Sequence, residues 1–239
     1  MSASAPHSST SHPIPPHVGG GERRWQIVLL LLLTAAAFRL PGLFYPSEEY
    51  FDEVYHAKTA KQYLEGQPPT EWVHPPTAKL LIAVGVWAFG YEPWAWRLAP
   101  AIAGTLLAPV FFLFARRVLP TERAALLASV LLLADGVYLV QSRIAMTNIF
   151  AVLFQVSAAL AVLRAALAER LPFLEMSLAG VLLGLALSTR WTSLWAWGFL
   201  GLVLVVVRKR RLTSPGCSST IRPRRWSPSS ATSGTTTRT

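Results

Sequence analysis

Two short polar segments lie between long apolar ones, and they contain the residue types that acid–base chemistry requires. The first is Phe51-Asp52-Glu53-Val54-Tyr55-His56, and the second is Val73-His74-Pro75-Pro76-Thr77-Ala78-Lys79. Charged groups at a membrane boundary are costly to desolvate, so their presence indicates a function. A carboxylate there can accept the proton of a weak hydroxyl nucleophile, and its pKa rises when it is partly desolvated. We therefore expect this polar region to carry the chemistry.

Asp52 and Glu53 stand at the start of a predicted short helix, residues 53–64, which Gly66 and the prolines that follow it bring to an end. Adjacent residues do not share a helix face, so the two carboxylates cannot both point at one acceptor. We predict that Asp52 is the general base and that Glu53 orients it or binds the acceptor. Helix capping, worth about 1 kcal/mol, is the alternative role for Asp52.

The composition places the chain among membrane proteins. Of its 239 residues, 52% are hydrophobic and only 14% are charged, whereas a soluble domain carries roughly a quarter charged residues. Basic clusters recur at the ends of apolar runs, at Arg23-Arg24, Arg116-Arg117 and residues 208–211. This placement indicates membrane topology and excludes a nucleic-acid partner. The single cysteine, Cys217, excludes an intrachain disulfide and a thiolate metal cluster.

The apolar runs predict an all-α, polytopic membrane bundle. The predicted spans are residues 25–44, 98–115, 124–140, 147–166, 171–187 and 192–207. The apolar segment 80–89 is shorter than the ~17–20 residues that cross a bilayer. If it lies in the outer interface, every basic cluster falls in the cytoplasm, as the positive-inside rule requires. Small residues such as Gly104, Gly180 and Gly184 would let the spans approach closely.

Three regions follow from this topology. Residues 1–23 are predicted to be a disordered cytoplasmic tail, because they are mainly Ser, His, Pro and Gly. Residues 24–211 form the membrane domain, with an outer catalytic loop at residues 45–96. Residues 212–239 change abruptly to Ser, Thr, Arg and Pro. This last region is either a disordered tail or the product of a frameshift that ended a longer membrane protein.

Further charged residues are candidates for substrate binding. Arg97 and Arg143 lie at outer span ends, where each could bind a leaving phosphate or extend to ordinary lipid headgroups. His74 and Lys79 flank a rigid Pro-Pro unit and could contact the phosphate or the acceptor, or belong only to a structural turn. Asp135 lies within a predicted span, where a carboxylate is functional or paired, with Arg143 as the candidate partner.

Four segments in this order resemble the protein O-mannosyltransferase family: Phe51-Asp52-Glu53, residues 73–81, residues 141–148 and residues 189–194. The resemblance covers approximately residues 24–211. It implies the multi-spanning C-type fold of lipid-donor glycosyltransferases. It also implies transfer of mannose, with inversion, from a polyprenyl-phosphate carrier to Ser or Thr of a translocating protein on the extracytoplasmic side. Asp52 and Glu53 match the catalytic acidic pair of the family.

The chain departs from the family pattern at several positions. Ala78 stands where the family often has Gly, and Asn148 stands where it usually has Asp, so Asn148 is a substrate-binding candidate without an acidic role. Arg190-Trp191-Thr192-Ser193 replaces a Lys-Trp-Ser-Gly pattern. Family members continue with further spans, so we expect this chain to be a truncated form.

The predicted protein is thus a multi-pass enzyme of the bacterial plasma membrane. Its partners are a polyprenyl-phosphate-linked sugar, a Ser/Thr-containing protein and membrane lipid. No cofactor is expected, because the spacing of Asp52, Glu53 and His74 matches no strong metal motif. One alternative is a related transferase that modifies a glycolipid, which the His-Pro-Pro motif disfavours. A non-catalytic fragment or transporter is the other, although the repeated halves typical of transporters are missing.

Overall fold

The structure is a computed structural model that describes residues 20–169 and 172–213. This part of the chain contains nine α-helices and one turn of 310-helix, and no strand. The helices are α1 (Gly20–Arg39), α2 (Glu53–Leu64), α3 (Thr77–Phe89), α4 (Pro93–Val118), α5 (Glu122–Ala134), α6 (Gly136–Gln141), α7 (Asn148–Leu167), α8 (Phe173–Leu187) and α9 (Leu194–Thr213), with the 310 turn at Trp191–Ser193. The predicted all-α fold is confirmed. Nearly all of both predicted tails lies outside the described residues.

Three of these helices meet the length and hydropathy that a membrane crossing needs. They are α4, α7 and the continuous segment Trp191–Arg210. α1 is also 20 residues long but carries Glu22, Arg23 and Arg24 near its start. At 1.5 Å per residue the 13 residues of α3 extend for about 20 Å. Because the hydrocarbon core is about 30 Å thick, α3 is too short to cross it, as the sequence indicated.

The predicted continuous span at residues 124–140 is wrong, because the chain breaks at Asp135. α5 ends at Ala134 and α6 begins at Gly136. The Asp135 Oδ1 atom accepts a hydrogen bond from the backbone N–H of Tyr138 at 2.6 Å, so this carboxylate caps the first turn of α6. An N-cap satisfies one of the N–H groups that have no partner inside a helix. The position of this carboxylate within an apolar run therefore has a local structural cause.

α4 lies at the centre of the bundle and packs against α1, α3, α5 and α7. α8 packs against α7, and α2 packs against α3. More than half of the apolar stretch of α4 is buried by these neighbours, whereas only 11% of the stretch Trp191–Arg210 is buried. α9 therefore presents most of its apolar surface outward, as expected for a helix at the edge of a membrane bundle.

A close approach between two segments occurs at Gly104 on α4. A Cβ atom built at Gly104 would lie 2.3 Å from the Cβ of Ser142, so no larger residue fits without movement. The Tyr138 hydroxyl also donates a hydrogen bond to the Gly104 carbonyl. The predicted close approach is thus confirmed for Gly104. It is wrong for Gly180 and Gly184, because no described atom lies within 4 Å of a Cβ built at either position.

We predict that Gly104→Ala lowers the thermal unfolding temperature of the detergent-solubilised protein. The added methyl group must displace Ser142, and overpacking of this kind costs about 1–3 kcal/mol. Gly184→Ala is the matched control, because its methyl group meets open space and replacing a helical glycine gains up to about 1 kcal/mol. Equal unfolding temperatures for the two variants would contradict the packing at Gly104.

Candidate active site

The polar centre of the protein is an ion pair between Glu53, the first residue of α2, and Arg97 in the second turn of α4. Both side chains are excluded from solvent, at 0% and 1% exposure. Arg97 donates from Nε to Glu53 Oε1 at 2.8 Å and from Nη2 to Oε2 at 2.7 Å. This two-point arrangement is the strongest geometry for an arginine and a carboxylate. It fixes the start of α2 against α4.

The remaining hydrogen-bonding groups of this pair bind the backbone. Arg97 also donates to three carbonyl oxygens of the preceding loop, those of Leu43, Pro46 and Glu48, at 2.7–3.0 Å. Glu53 accepts from the backbone N–H groups of Tyr50 and Ala145 at 3.0 and 2.9 Å. The guanidinium group thus uses all five of its N–H donors.

The structure therefore buries Arg97 and Glu53 in an internal ion pair, whereas the sequence suggested that they contact the substrate. Arg97 has no donor left for a lipid phosphate, and the Glu53 carboxylate is closed off from an acceptor. Their geometry instead fixes the loop that precedes α2. Four separate segments meet at this pair: the loop after α1, the start of α2, the start of α4 and the segment before α7.

Asp52, the residue before Glu53, takes no part in the Glu53–Arg97 ion pair. It occupies the N-cap position of α2, but its side chain accepts no capping hydrogen bond, so the capping alternative is wrong. Its side chain is partly exposed and makes no ion pair with any described residue. The preceding residue, Phe51, has a φ of +57°, in the left-handed region that non-glycine residues rarely adopt. Asp52 is thus a carboxylate without an ion-pair partner among the described residues, on a turn next to the buried Glu53–Arg97 pair.

A second polar cluster forms around Glu71, in the loop between α2 and α3. Lys79, 1% exposed, donates to Glu71 Oε2 at 2.5 Å and to the backbone oxygens of Glu71 and His74 at 3.0 and 2.8 Å. The His74 backbone N–H and ring Nδ1 lie 2.8 and 3.1 Å from Glu71 Oε1. The ammonium group of Lys79 thus has all three donors engaged, and it organises the loop.

The charge states of this second cluster follow from burial and hydrogen bonding. Burial opposes the charged form of Glu71, but hydrogen bonds from Lys79 and His74 outweigh it and lower the pKa of Glu71 to about 2. Burial lowers the pKa of His56 to about 4, although Glu71 lies 4.0 Å from the His56 ring and opposes the shift. At neutral pH the cluster therefore contains an ionised Glu71 and a neutral His56.

Glu71 was not predicted to be a site residue from the sequence, whereas its partners His74 and Lys79 were. The only signal was spacing, since Glu71 precedes His74 by three residues and Lys79 by eight. Within a loop that has no helical period, such spacing predicts no contact. Of the two candidates, His74 is the one that keeps partial exposure, with 23% of its side chain accessible.

Arg143 binds the end of α1. Its guanidinium group donates to the carbonyl oxygens of Phe38, Arg39 and Gly42 at 2.9–3.4 Å. A cation at a helix C-terminus interacts favourably with the helix dipole. No ion pair joins Arg143 to Asp135 within the described segments, so the predicted partnership of these two residues is not formed.

Asn148 and Arg190 form a third polar contact, between the start of α7 and the turn after α8. Arg190 Nη1 donates to the Asn148 side-chain oxygen and lies 3.4 Å from Thr147 Oγ1. Asn148 Nδ2 donates to Gln141 Oε1 at 2.9 Å. The Nε and Nη2 groups of Arg190 have no hydrogen-bond partner in the described part of the chain. Arg190 is thus a partly exposed cation with free donors, which the sequence analysis did not count as a site residue.

Two shallow cavities lie along the short helix α6, between the residues that precede Asp52 and Asn148. One, of about 380 Å³, is lined by Tyr50 and Phe51 on one side and by α6 and Ile144 on the other. The other, of about 270 Å³, includes Asp135 and Asn148 in its lining. Val137 and Gln141 line both. A largely apolar groove therefore leads from the residues before Asp52 to Asn148.

No group of three or more His, Cys, Asp or Glu side chains with metal-binding geometry occurs among the described residues. The carboxylates of Glu53 and Glu71 are instead engaged by single cations and by backbone N–H groups, whereas Asp52 makes no ion pair with a described residue. The site therefore offers a partly exposed carboxylate, Asp52, beside a largely apolar groove.

Taken together, the fold and the site define a multi-helix membrane protein with a carboxylate at one end of the bundle. The family model for dolichyl-phosphate-mannose-protein mannosyltransferase matches residues 29–96 and 92–214. The chain belongs to this family.

Several known proteins resemble the chain. The polyprenol-phosphate-mannose–protein mannosyltransferase of Mycolicibacterium smegmatis is 33% identical over 236 aligned residues, which cover 85% of this chain and 46% of that protein. The protein of the same name from Corynebacterium glutamicum is 40% identical over 154 residues, covering 56% and 30% of the two chains. The chain spans less than half the length of these curated relatives. The Saccharomyces cerevisiae Pmt1-Pmt2 complex bound to the sugar donor shares the fold, with a TM-score of 0.70, 23% identity, and coverage of 77% of this chain and 28% of that one.

We predict that Glu53→Gln strongly destabilises the protein. Removing one partner of a buried ion pair leaves the other charge uncompensated and typically costs about 3–5 kcal/mol. Glu65→Gln is the matched control, because Glu65 pairs with Lys61 at 3.7 Å on an exposed surface, where such pairs contribute about 0–1 kcal/mol. Thermal unfolding in detergent measures both variants. A loss of similar size in the two would contradict the central role of the Glu53–Arg97 pair.

We predict that acid destabilises the native state through His56. The pKa of His56 is lower in the folded protein than in the unfolded chain, so the unfolded state binds the proton first as the pH falls from 6.5 towards 4. Between pH 7 and pH 5 this linkage removes about 2 kcal/mol of stability. The stability that ionised Glu71 contributes is present above pH 4.5 and is lost only as the pH falls towards 2.

The measurement is the change in unfolding temperature between pH 7 and pH 5. His56→Phe should show a smaller change than the unaltered protein, whatever its stability at pH 7. Lys58→Gln, at an exposed position on the same helix, should keep the full change. Identical pH responses of the His56→Phe variant and the unaltered protein would show that His56 does not titrate in this range.

Proposed function

We propose that the protein transfers mannose, with inversion, from a polyprenyl-phosphate carrier to Ser or Thr hydroxyls of proteins at the extracytoplasmic membrane face. The observation that carries this proposal is the carboxylate of Asp52, which makes no ion pair with a described residue and lies on a turn next to the buried Glu53–Arg97 pair. The names of the bacterial relatives, which specify a polyprenol-phosphate-mannose donor and a protein acceptor, support the same reaction.

Asp52 acts as the general base in this proposal. A hydroxyl nucleophile must lose its proton as it attacks the anomeric carbon, and a partly desolvated carboxylate suits that transfer. Glu53 cannot share the task, because both of its oxygens already accept hydrogen bonds from Arg97 and the backbone. Glu53 and Arg97 are therefore positioning residues. Their effect on the reaction comes through the orientation of Asp52.

The leaving phosphate requires cationic donors, and Arg190 is the best-placed candidate. Its free Nε and Nη2 donors can form the paired contacts that guanidinium groups make with phosphate. Asn148 orients Arg190, which gives Asn148 a supporting role in donor binding. Arg143 is a weaker candidate, because it binds three backbone carbonyls. The half-buried ring of His74 is proposed to contact the acceptor, whereas Lys79 has no free donor.

The groove along α6 suits the lipid part of the donor. Its lining is mostly apolar and includes the exposed side chains of Phe51, Val137 and Val140. A polyprenyl chain along α6 would bring the donor phosphate and its sugar to the polar end of the bundle that carries Asp52, Asn148 and Arg190. Removal of apolar chain from water contributes about 25 cal/mol per Å² of buried surface.

The charge distribution supports an outer position for Asp52. α4, α7 and α9 end in basic residues at the other end of the bundle, namely Arg116-Arg117, Arg164 and residues 208–211. By the positive-inside rule that end is cytoplasmic. The proposed protein is thus multi-pass in a bacterial plasma membrane, with residues 45–96 outside.

We predict that Asp52→Asn abolishes mannose transfer while the fold is retained. The assay uses membranes containing the chain, radiolabelled polyprenyl-phosphate mannose and a Ser/Thr-rich peptide. In parallel, residues 24–211 replace the matching part of the M. smegmatis relative, so that the site is also tested within a longer chain. Loss of a general base lowers the turnover rate by about 10²–10⁴-fold. Transfer by Asp52→Asn at the unaltered rate would reject the base assignment.

Two comparisons sharpen this experiment. Arg190→Gln should raise the apparent KM for the donor more than it lowers kcat, whereas Asp52→Asn should mainly lower kcat. Glu48→Gln is the matched control, because Glu48 is an exposed carboxylate of the same loop whose side chain makes no ion pair with a described residue. Transfer to a glycolipid but not to the peptide would favour the alternative acceptor class.

A further inference from the structure

Four arginine side chains converge at the end of the bundle opposite Asp52. Arg24 comes from the start of α1, Arg116 and Arg117 from the end of α4, and Arg164 from the end of α7. Together with Trp25 and Leu113 they line a cavity of about 280 Å³. Basic residues often mark this side of a membrane protein individually. Here they come from three different helices and line one cavity that opens to solvent.

The positive charge of this cavity is mostly uncompensated. Glu122 pairs with Arg116 at 3.1 Å and approaches Arg23 at 3.8 Å. Arg24, Arg117 and Arg164 form no hydrogen bond or ion pair with any described residue. Asp and Glu are missing from the residues that the structure does not describe, 1–19, 170–171 and 214–239. These residues therefore supply no side-chain carboxylate that could compensate the arginines.

One of these arginines also has a donor atom without an acceptor. The Nε atom of Arg24 is buried and has no hydrogen-bond partner among the described residues. The like charges that line this cavity also repel one another. An anion between the guanidinium groups would offset this repulsion.

We propose that this four-arginine cavity binds the phosphate group of an anionic phospholipid headgroup. Guanidinium groups bind phosphate oxygens through paired hydrogen bonds, and several of them can share one phosphate. Basic pockets between membrane helices recognise anionic headgroups in this way. Trp25 and Leu113 supply an apolar wall beside the arginines, which suits the glycerol and the start of an acyl chain and distinguishes a lipid from a soluble phosphate.

The test measures thermal unfolding of the 239-residue chain in nanodiscs of phosphatidylglycerol or phosphatidylcholine with the same acyl chains. Binding to the native state alone stabilises it in proportion to the occupancy. We expect phosphatidylglycerol to raise the unfolding temperature by about 5 °C relative to phosphatidylcholine. The double variant Arg24→Gln/Arg164→Gln should lose most of this difference. Arg116 is left intact because it also pairs with Glu122.

Arg123→Gln is the matched control, since Arg123 is an exposed arginine at the same end of the bundle and does not line the cavity. It should keep the full phosphatidylglycerol effect. An equal loss in Arg123→Gln, or no lipid preference in the unaltered chain, would overturn the proposal. In phosphatidylcholine alone the double variant should be at least as stable as the unaltered chain, because like-charge repulsion is reduced. That result excludes misfolding as the cause of the lost lipid effect.

A further arm adds millimolar inorganic phosphate to the phosphatidylcholine nanodiscs. Protection that reproduces the phosphatidylglycerol effect and depends on Arg24 and Arg164 would overturn the lipid source and assign the site to a soluble phosphate. No effect of free phosphate supports the lipid. Asp52→Asn should leave all of these shifts unchanged, because Asp52 lies at the other end of the bundle. Failure of this inference is therefore separate from failure of the proposed function.

Discussion

The buried ion pair between Glu53 and Arg97 is the constraint on which the end of the bundle that carries Asp52 depends. Removing two charges from water is costly, and their attraction offsets that cost only when the geometry is good and the remaining hydrogen-bonding groups are satisfied. Here the guanidinium group uses all five donors, and the carboxylate accepts two backbone N–H groups as well. The pair therefore holds four chain segments together. It also fixes the residue beside it, Asp52, without occupying the Asp52 carboxylate.

Local signals in the sequence predicted what is local in the structure. The bounds of α2 agree with the predicted residues 53–64, because the acidic start and the Gly66 stop act within a few residues. The Glu53–Arg97 pair joins residues 44 positions apart, and nothing in the spacing indicates it. Charged side chains at outer span ends are equally compatible with phosphate binding and with internal pairing. For the same reason the contact of Lys79 with Glu71 was not predicted from the sequence.

The failure at residues 124–140 has a physical explanation as well. A continuous apolar run predicts one span, and residues 124–134 of it do lie in α5. The run also contains Asp135-Gly136, which is a local capping signal, and the Asp135 side chain uses it to start α6. Hydropathy is averaged over many residues, so it does not detect a break at one position. The hydrogen bond that starts a new helix depends on a single side chain. The break matters for the proposed function, because α6 forms one wall of the groove beside Asp52.

Charged side chains are paired at one end of the bundle and mostly unpaired at the other. At the end that carries Asp52, the side chains of Glu49, Glu53 and Glu71 each bind a defined partner, so charge serves to fix geometry. At the other end only Arg116 of the four cavity arginines pairs with a described carboxylate, so most of the positive charge is left available to a ligand. The same helices connect both ends: α4 carries Arg97 and Arg116, and α7 carries Asn148 and Arg164. At 1.5 Å per residue these pairs are about 24–28 Å apart, close to the ~30 Å of a hydrocarbon core. The helix lengths therefore agree with the proposal that the carboxylate end and the arginine end lie at opposite surfaces of one bilayer.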